Sequence, residues 1–127
     1  MKVSVFGLGY VGAVSSACLA KEGHEIVGVD PNRNKVDLIN DGKAPIIERD
    51  LPEIIAEVVE SARLRATTSA AEAIGATEAS IICVGTPSMP NGSLDLGFIE
   101  GVCREIGDEL KNKPEFHTVI IRSTMLP

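Results

Sequence analysis

The chain has 127 residues and a formal net charge of −6, from 18 acidic and 12 basic side chains, and 44% of it is hydrophobic. That length fits one domain with its own core, the hydrophobic fraction argues against a disordered segment, and the acidic balance against a general nucleic-acid or anionic-membrane surface. No apolar run approaches the ~20 residues of a membrane helix, and Lys2 leads into a short strand rather than into the apolar stretch of a signal peptide.

Lys2–Phe6 reads as a first strand. Val11–Lys21 follows as a helix rich in small residues, with Gly23 just past its end, where a C-terminal glycine is expected. Glu25–Val29 is a second strand, ending at Asp30. Pro31 is acceptable at the entrance of a helix over Asn32–Asn40, because its missing N–H would have been unpaired there anyway. Asp41–Asp50 is a loop. Leu51, Ile54, Ile55, Val58 and Val59 then form the stripe of a helix over Leu51–Ser61.

Leu64–Ala66 is a short strand. Ser69 caps a helix over Ala70–Gly75, with Glu72 three residues on as a capping box. Ala79–Val84 has the apolar character of a central, parallel strand. Gly85–Leu94, containing Pro87, Pro90 and Asn91-Gly92, is a loop. Asp95 caps a helix over Leu96–Leu110, and Thr118–Arg122 is the last strand. The order β-α-β-α-α-β-α-β-α-β predicts an α/β fold, a doubly wound and mainly parallel sheet with helices on both faces.

Gly7, Gly9 and Gly12 form a GxGxxG turn between the first strand and its helix. A lone motif of this kind is weak. Here it follows a strand, opens a helix, and precedes Asp30, which ends the next strand 18 positions after Gly12, near the usual ~20. That combination is the fingerprint of a Rossmann dinucleotide site. Gly7 permits the tight turn, Gly9 lets a pyrophosphate approach the backbone, and Gly12 lets the helix pack closely. Amides at the helix N-terminus hold the phosphates without basic side chains. A carboxylate at position 30 accepts hydrogen bonds from ribose hydroxyls and repels a 2′-phosphate, which favours NAD over NADP. Arg33 and Lys35 are the nearby cations that could take a 2′-phosphate instead, and FAD uses the same type of turn.

In a doubly wound sheet, ligands sit beyond the carboxyl ends of the strands. The loops Gly7–Gly12, Gly85–Pro90 and Ser123–Pro127 fall there. Thr86 and Thr124 each follow a strand and offer a hydroxyl, either to a ligand or as a turn cap. Tyr10, the sole tyrosine, lies inside the glycine turn, where it packs over a cofactor or at a domain seam. Glu48, Arg49 and Asp50, in a loop, read as a solvated surface cluster, with contact to substrate as the alternative. Cys18, Cys83 and Cys103 are too far apart for a CxxC pair or zinc knuckle, and their odd number and wide spacing fit a reducing cytosol. Cys18, in an apolar helix pattern, and Cys83, at a strand end, read as buried thiols. His24 and His117 have no partners at catalytic or metal spacing, so no metal site is expected.

FGLGYVG at 6–12, GVD at 28–30, Lys35, ICVGTP at 82–87 and RSTMLP at 122–127 together resemble the N-terminal domain of the UDP-glucose/GDP-mannose dehydrogenase family along essentially the whole chain. INDGKAPIIE, NGSLDLGFIE and VCREIG resemble its members that act on GDP-mannose. The resemblance implies NAD held by the glycine turn, Tyr10, Val11, Asp30, Lys35, Thr86 and Thr124. It implies two successive NAD-dependent oxidations at the sugar C6, giving GDP-mannuronate for alginate-type polysaccharide, with a nucleophilic cysteine carrying the intermediates. That cysteine, its assisting lysine and asparagine, a dimerising central helix and the sugar-nucleotide domain are expected beyond residue 127. The chain alone is thus expected to bind NAD weakly or in part and to lack turnover, the whole protein to be a cytoplasmic homo-oligomer. Oxidation of UDP-glucose is the alternative within the family, and a freestanding NAD-sensing module is the alternative of a different class.

Overall fold

Alternation along the first strand decides the two faces of the sheet. Val3 and Val5 point to one side, Ser4 and Phe6 to the other, and all four are buried. A computed structural model describes residues 1–123 and contains ten elements in the expected order. They are β1 (Lys2–Phe6), α1 (Tyr10–Lys21), β2 (Glu25–Val29), α2 (Arg33–Asn40), α3 (Leu51–Glu60), β3 (Leu64–Thr67), α4 (Ala70–Ala76), β4 (Ala79–Ile82), α5 (Gly97–Leu110) and β5 (Thr118–Ile121). The five strands form one sheet in the order β3-β2-β1-β4-β5, and every pairing is parallel. This is the doubly wound α/β architecture.

On one face, Val3, Val5, Ile26, Leu64 and Ala79 pack with Ala17 and Ala20 of α1, Val36 and Ile39 of α2, and Ile55 and Val58 of α3. On the other, Phe6, Val27, Val29 and Ile82 meet Ala70, Ala73 and Ile74 of α4 and Ile106 of α5. Removal of this apolar surface from water is the main stabilising term. The edges differ. β3 is covered by the Asn40 side chain, whose amide donates to the Ala66 carbonyl at 3.0 Å while its oxygen accepts the Ala66 N–H at 2.8 Å. β5 is exposed along its whole length, with Val119, Ile120 and Ile121 each between 38% and 48% accessible.

Four local expectations need correction. Cys18 is exposed rather than buried. A helix made of small apolar residues carries no amphipathic signal, and the face that meets the sheet is Gly12, Ala13, Ser16, Ala17 and Ala20. Asn32 precedes α2 as its cap, its Oδ1 accepting the Asn34 N–H. Leu96 takes the cap position of α5; Asp95 lies one residue earlier and accepts the Gly97 N–H at 2.9 Å. At α4, Ser69 Oγ does accept the Glu72 N–H, but the Glu72 carboxylate turns to the Thr67 hydroxyl and Arg65 instead of closing the box.

A polar chain runs through the interior at the amino end of the sheet. The three donors of Lys113 Nζ go to the Ile74 carbonyl, the Thr77 carbonyl and His117 Nδ1. An ammonium can only donate. Nδ1 therefore accepts, which puts the imidazole proton on Nε2, facing Ser80 Oγ at 2.7 Å. Ser80 Oγ in turn meets Ser4 Oγ at 2.6 Å. Lys113 thereby caps the carbonyl end of α4 and ties the start of β5 to β4. No buried side-chain N or O among the described residues lacks a partner.

This network fixes a pH dependence. Burial, and then the Lys113 ammonium, lower the His117 pKa below its ordinary value, against an opposing pull from the Thr77 carbonyl. The folded state therefore holds the neutral ring, and the unfolded chain binds the extra proton. The stabilisation is full above about pH 6.5, the unfolded-state value, and is lost as pH falls through the folded one. Denaturant midpoints at about pH 7.5 and about pH 5.5 should show a drop on acidification that is smaller in His117→Gln.

Candidate cofactor-binding site

From β1 the chain winds outward through β2 to β3, then crosses back to β4 and β5 on the opposite side. Such a reversal leaves a crevice at the carboxyl ends of the two central strands. Two cavities of about 320 and 290 Å³ lie there, both bordered by Gly9, Cys83, Val84 and Gly85. They form the two halves of a trough on either side of the β4 loop. A further cavity of about 250 Å³ at the amino ends of β1 and β2, bordered by Lys2, Glu25, Arg63 and Arg65, has neither a glycine turn nor a helix N-terminus beside it.

The glycine turn is held by two contacts with the end of β2. The Gly7 N–H donates to the Val29 carbonyl at 2.8 Å. The Leu8 N–H donates to Asp30 Oδ2 at 2.8 Å, while Asp30 Oδ1 accepts the Asn32 N–H, also at 2.8 Å. Asp30 is only 7% exposed yet borders the 290 Å³ cavity. A carboxylate has about four lone-pair sites. Two backbone amides leave capacity for hydroxyl donors from a ligand.

The three glycines serve different constraints. Gly7 has φ +99°, a conformation L side chains rarely adopt. A Cβ on Gly12 would lie 1.6 Å from the Gly7 carbonyl oxygen, so the first turn of α1 closes directly onto the glycine loop. A Cβ on Gly9 would meet no protein atom within 4 Å. Among the described residues nothing needs position 9 to be bare, and Gly9 borders both halves of the trough. Gly9 also caps α1 without a side-chain hydrogen bond, and the first turn holds no acidic residue. Among the described residues no side chain caps the leading amides of α1, which leaves them open to the crevice, as an anion site requires. This cradle fits a pyrophosphate.

The structure brings most of the predicted residues to the trough. Lys35 borders the Asp30 half, and Tyr10, Val11 and Thr86 the other. Arg33 stands apart, exposed and paired with Asp37 at 3.5 Å. Thr124 lies outside the described residues. Ser123 Oγ donates to the Val84 carbonyl at 2.7 Å, joining the end of β5 to the β4 loop. Phe98 of α5 and Arg122 also border the trough, and sequence offers little signal for either beyond their place after β4 and β5. Glu48 is more than a solvated charge: its Oε2 accepts the Tyr10 hydroxyl at 2.5 Å. Burial pushes the Cys83 thiol up, opposed by Arg122, which makes it a poor nucleophile. No cluster of metal-ligating side chains occurs among the described residues.

A parallel sheet with a glycine turn at its switch point, unclaimed helix amides beside it and an acid ending the second strand defines a dinucleotide-binding domain of the Rossmann type. Residues 1–127 match the family model described as the UDP-glucose/GDP-mannose dehydrogenase family, NAD binding domain. The chain belongs to that family, and the part of it matched is the NAD binding domain. It is 57% identical over its whole length to GDP-mannose 6-dehydrogenase of Azotobacter vinelandii, and 40% identical to UDP-glucose 6-dehydrogenase of Haloferax volcanii. In each case it spans 29% of the relative. A crystal structure of a ternary complex of GDP-mannose dehydrogenase from Pseudomonas aeruginosa superposes with a TM-score of 0.98 at 53% identity, covering all of this chain and 29% of that one.

The contrast between Gly9 and Gly12 can be measured. Gly12→Ala should lose at least about 3 kcal/mol of stability, the upper range of overpacking. Gly9→Ala should stay within about 1 kcal/mol of wild type in a denaturant titration, the cost of a poorer N-cap, yet lose most of its NAD affinity in calorimetry.

Proposed function

We propose that this chain supplies the NAD-binding part of a sugar-nucleotide 6-dehydrogenase that oxidises GDP-mannose to GDP-mannuronate with two NAD, in the making of an alginate-type polysaccharide. The observation that carries the substrate is the gap in similarity: six GDP-mannose 6-dehydrogenases match at 53–57% identity, against 40% for a UDP-glucose enzyme. NAD bound in the trough would accept the electrons removed from the sugar C6.

In this reading the amides of the Gly7–Gly12 turn, Tyr10 and Val11 hold the pyrophosphate. Asp30 accepts from the adenosine ribose, with Lys35 beside it. Thr86 and Thr124 serve the nicotinamide half. The supports are the unclaimed amides of α1, the open space at Gly9, and the Asp30 carboxylate at the cavity wall. The nucleotide-sugar site and the nucleophilic cysteine would be carried by sequence outside these residues, in a cytoplasmic homo-oligomer. Among the described residues, no helix is long and apolar enough to cross a membrane.

The cofactor reading is tested by calorimetric titration with NAD and, separately, NADP. NAD should bind more tightly, and Asp30→Ala should weaken NAD by more than it weakens NADP. Because Asp30 also anchors the Leu8 N–H, the variant should lose about 1–3 kcal/mol of stability as well, the effect of a stranded buried donor. Equal loss for both cofactors would remove the ribose role and leave only the anchoring one. The substrate reading is tested in the full natural protein that carries this sequence: reduction of NAD with GDP-mannose and little with UDP-glucose is the expected result.

A further inference from the structure

We propose that Glu48 is a positioning residue of the cofactor trough, acting through Tyr10; the inference rests on the reading of the chain as an NAD-binding domain. Tyr10 is the first residue of α1, directly after Gly9, and it borders the 320 Å³ half of the trough. Its side chain is 58% exposed, so packing does little to fix its ring. Its hydroxyl does that work, donating to Glu48 Oε2 at 2.5 Å from 38 positions earlier in the chain.

Glu48 is itself well anchored. Its Oε1 accepts the Arg49 backbone N–H at 3.2 Å, and its carbonyl accepts the Leu51 N–H at 3.3 Å at the start of α3. On either side, Ala44 and Ile46 pack against the α1–α3 core, and Leu51 is buried. The loop between α2 and α3 therefore brings one carboxylate to the Tyr10 hydroxyl beside the glycine turn. Glu48 raises the Tyr10 pKa, first through the hydrogen bond and then through its charge. The phenol is the donor of this contact and the Glu48 carboxylate the acceptor. A ring already held in place spares the ligand the entropy of ordering it.

Two readouts test this. The 127-residue chain has one tyrosine and no tryptophan, so alkaline absorbance titrates Tyr10 alone. Its phenol should titrate above the free value of about 10 in wild type and fall towards it in Glu48→Ala and Glu48→Gln. NAD affinity is measured in the full natural protein. Glu48→Ala and Tyr10→Phe should each lower it roughly three- to tenfold, the scale of ordering one side chain, and the double variant should lose no more than either alone. Glu48→Gln, which keeps an acceptor, should retain most of the affinity. Wild-type-like binding by Glu48→Ala, multiplied losses in the double variant, or an unshifted phenol would each overturn the role of Glu48 while leaving the NAD reading standing. Failure of the wild-type protein to bind NAD would overturn both.

Discussion

The Asp30 carboxylate is the joint on which the site is built. One of its oxygens takes the amide of Leu8 from the glycine turn, and the other takes the amide of Asn32 from the entrance of α2. Two loops that follow neighbouring strands are thereby locked to one side chain. Such bonds are charge-assisted and stronger than neutral ones, which is why an almost buried charge is tolerated here. Leu8 is drawn inward by the same arrangement and is fully buried against Gly28 of β2, where a Cβ would collide with its methyl groups. A residue that reads in sequence as ligand-facing is in the structure a fastener of the glycine loop.

The two ends of the sheet are organised differently. At the carboxyl end, polar groups are left open towards a trough: helix amides, a carboxylate with spare acceptor capacity, a threonine in a loop. At the amino end, Lys113, His117, Ser80 and Ser4 consume one another's donors and acceptors in a closed chain. A serine and a histidine at 2.7 Å would invite a catalytic reading if taken alone. Here Ser80 is fully buried, and the histidine accepts from a lysine that is capping a helix. Burial and satisfaction mark that pair as architecture, whereas polar groups open to a trough make the other end the candidate site.

Much of this was legible in the sequence because its signals are local and periodic. β1 alternates, α3 carries a stripe, glycine and proline punctuate the loops, and the spacing from Gly12 to Asp30 joins the turn to the second strand. What escaped has physical reasons. In a helix built from alanine, serine and glycine, hydrophobicity does not reveal which face is inward, so Cys18 reads as buried and is exposed. The carboxylate of Glu72 had a choice of partners, and Arg65 and Thr67 won it through a strand that lies beside α4 only in the folded chain. The contact between Tyr10 and Glu48 depends on the path of a ten-residue loop, which no local pattern encodes.

Selection acts on the glycine motif through two separate filters. Position 12 is policed by the protein itself, since a side chain there would strike the Gly7 carbonyl. Position 9 meets no such barrier among the described residues, and under the function proposed above it is policed from outside, by the cofactor in the trough. Descendants of this domain that abandoned their cofactor would be free to drift at position 9 while keeping position 12, and would look intact by every measure of fold. The bare residue at 9 is thus the better single-letter record of whether a member of this lineage still handles a dinucleotide.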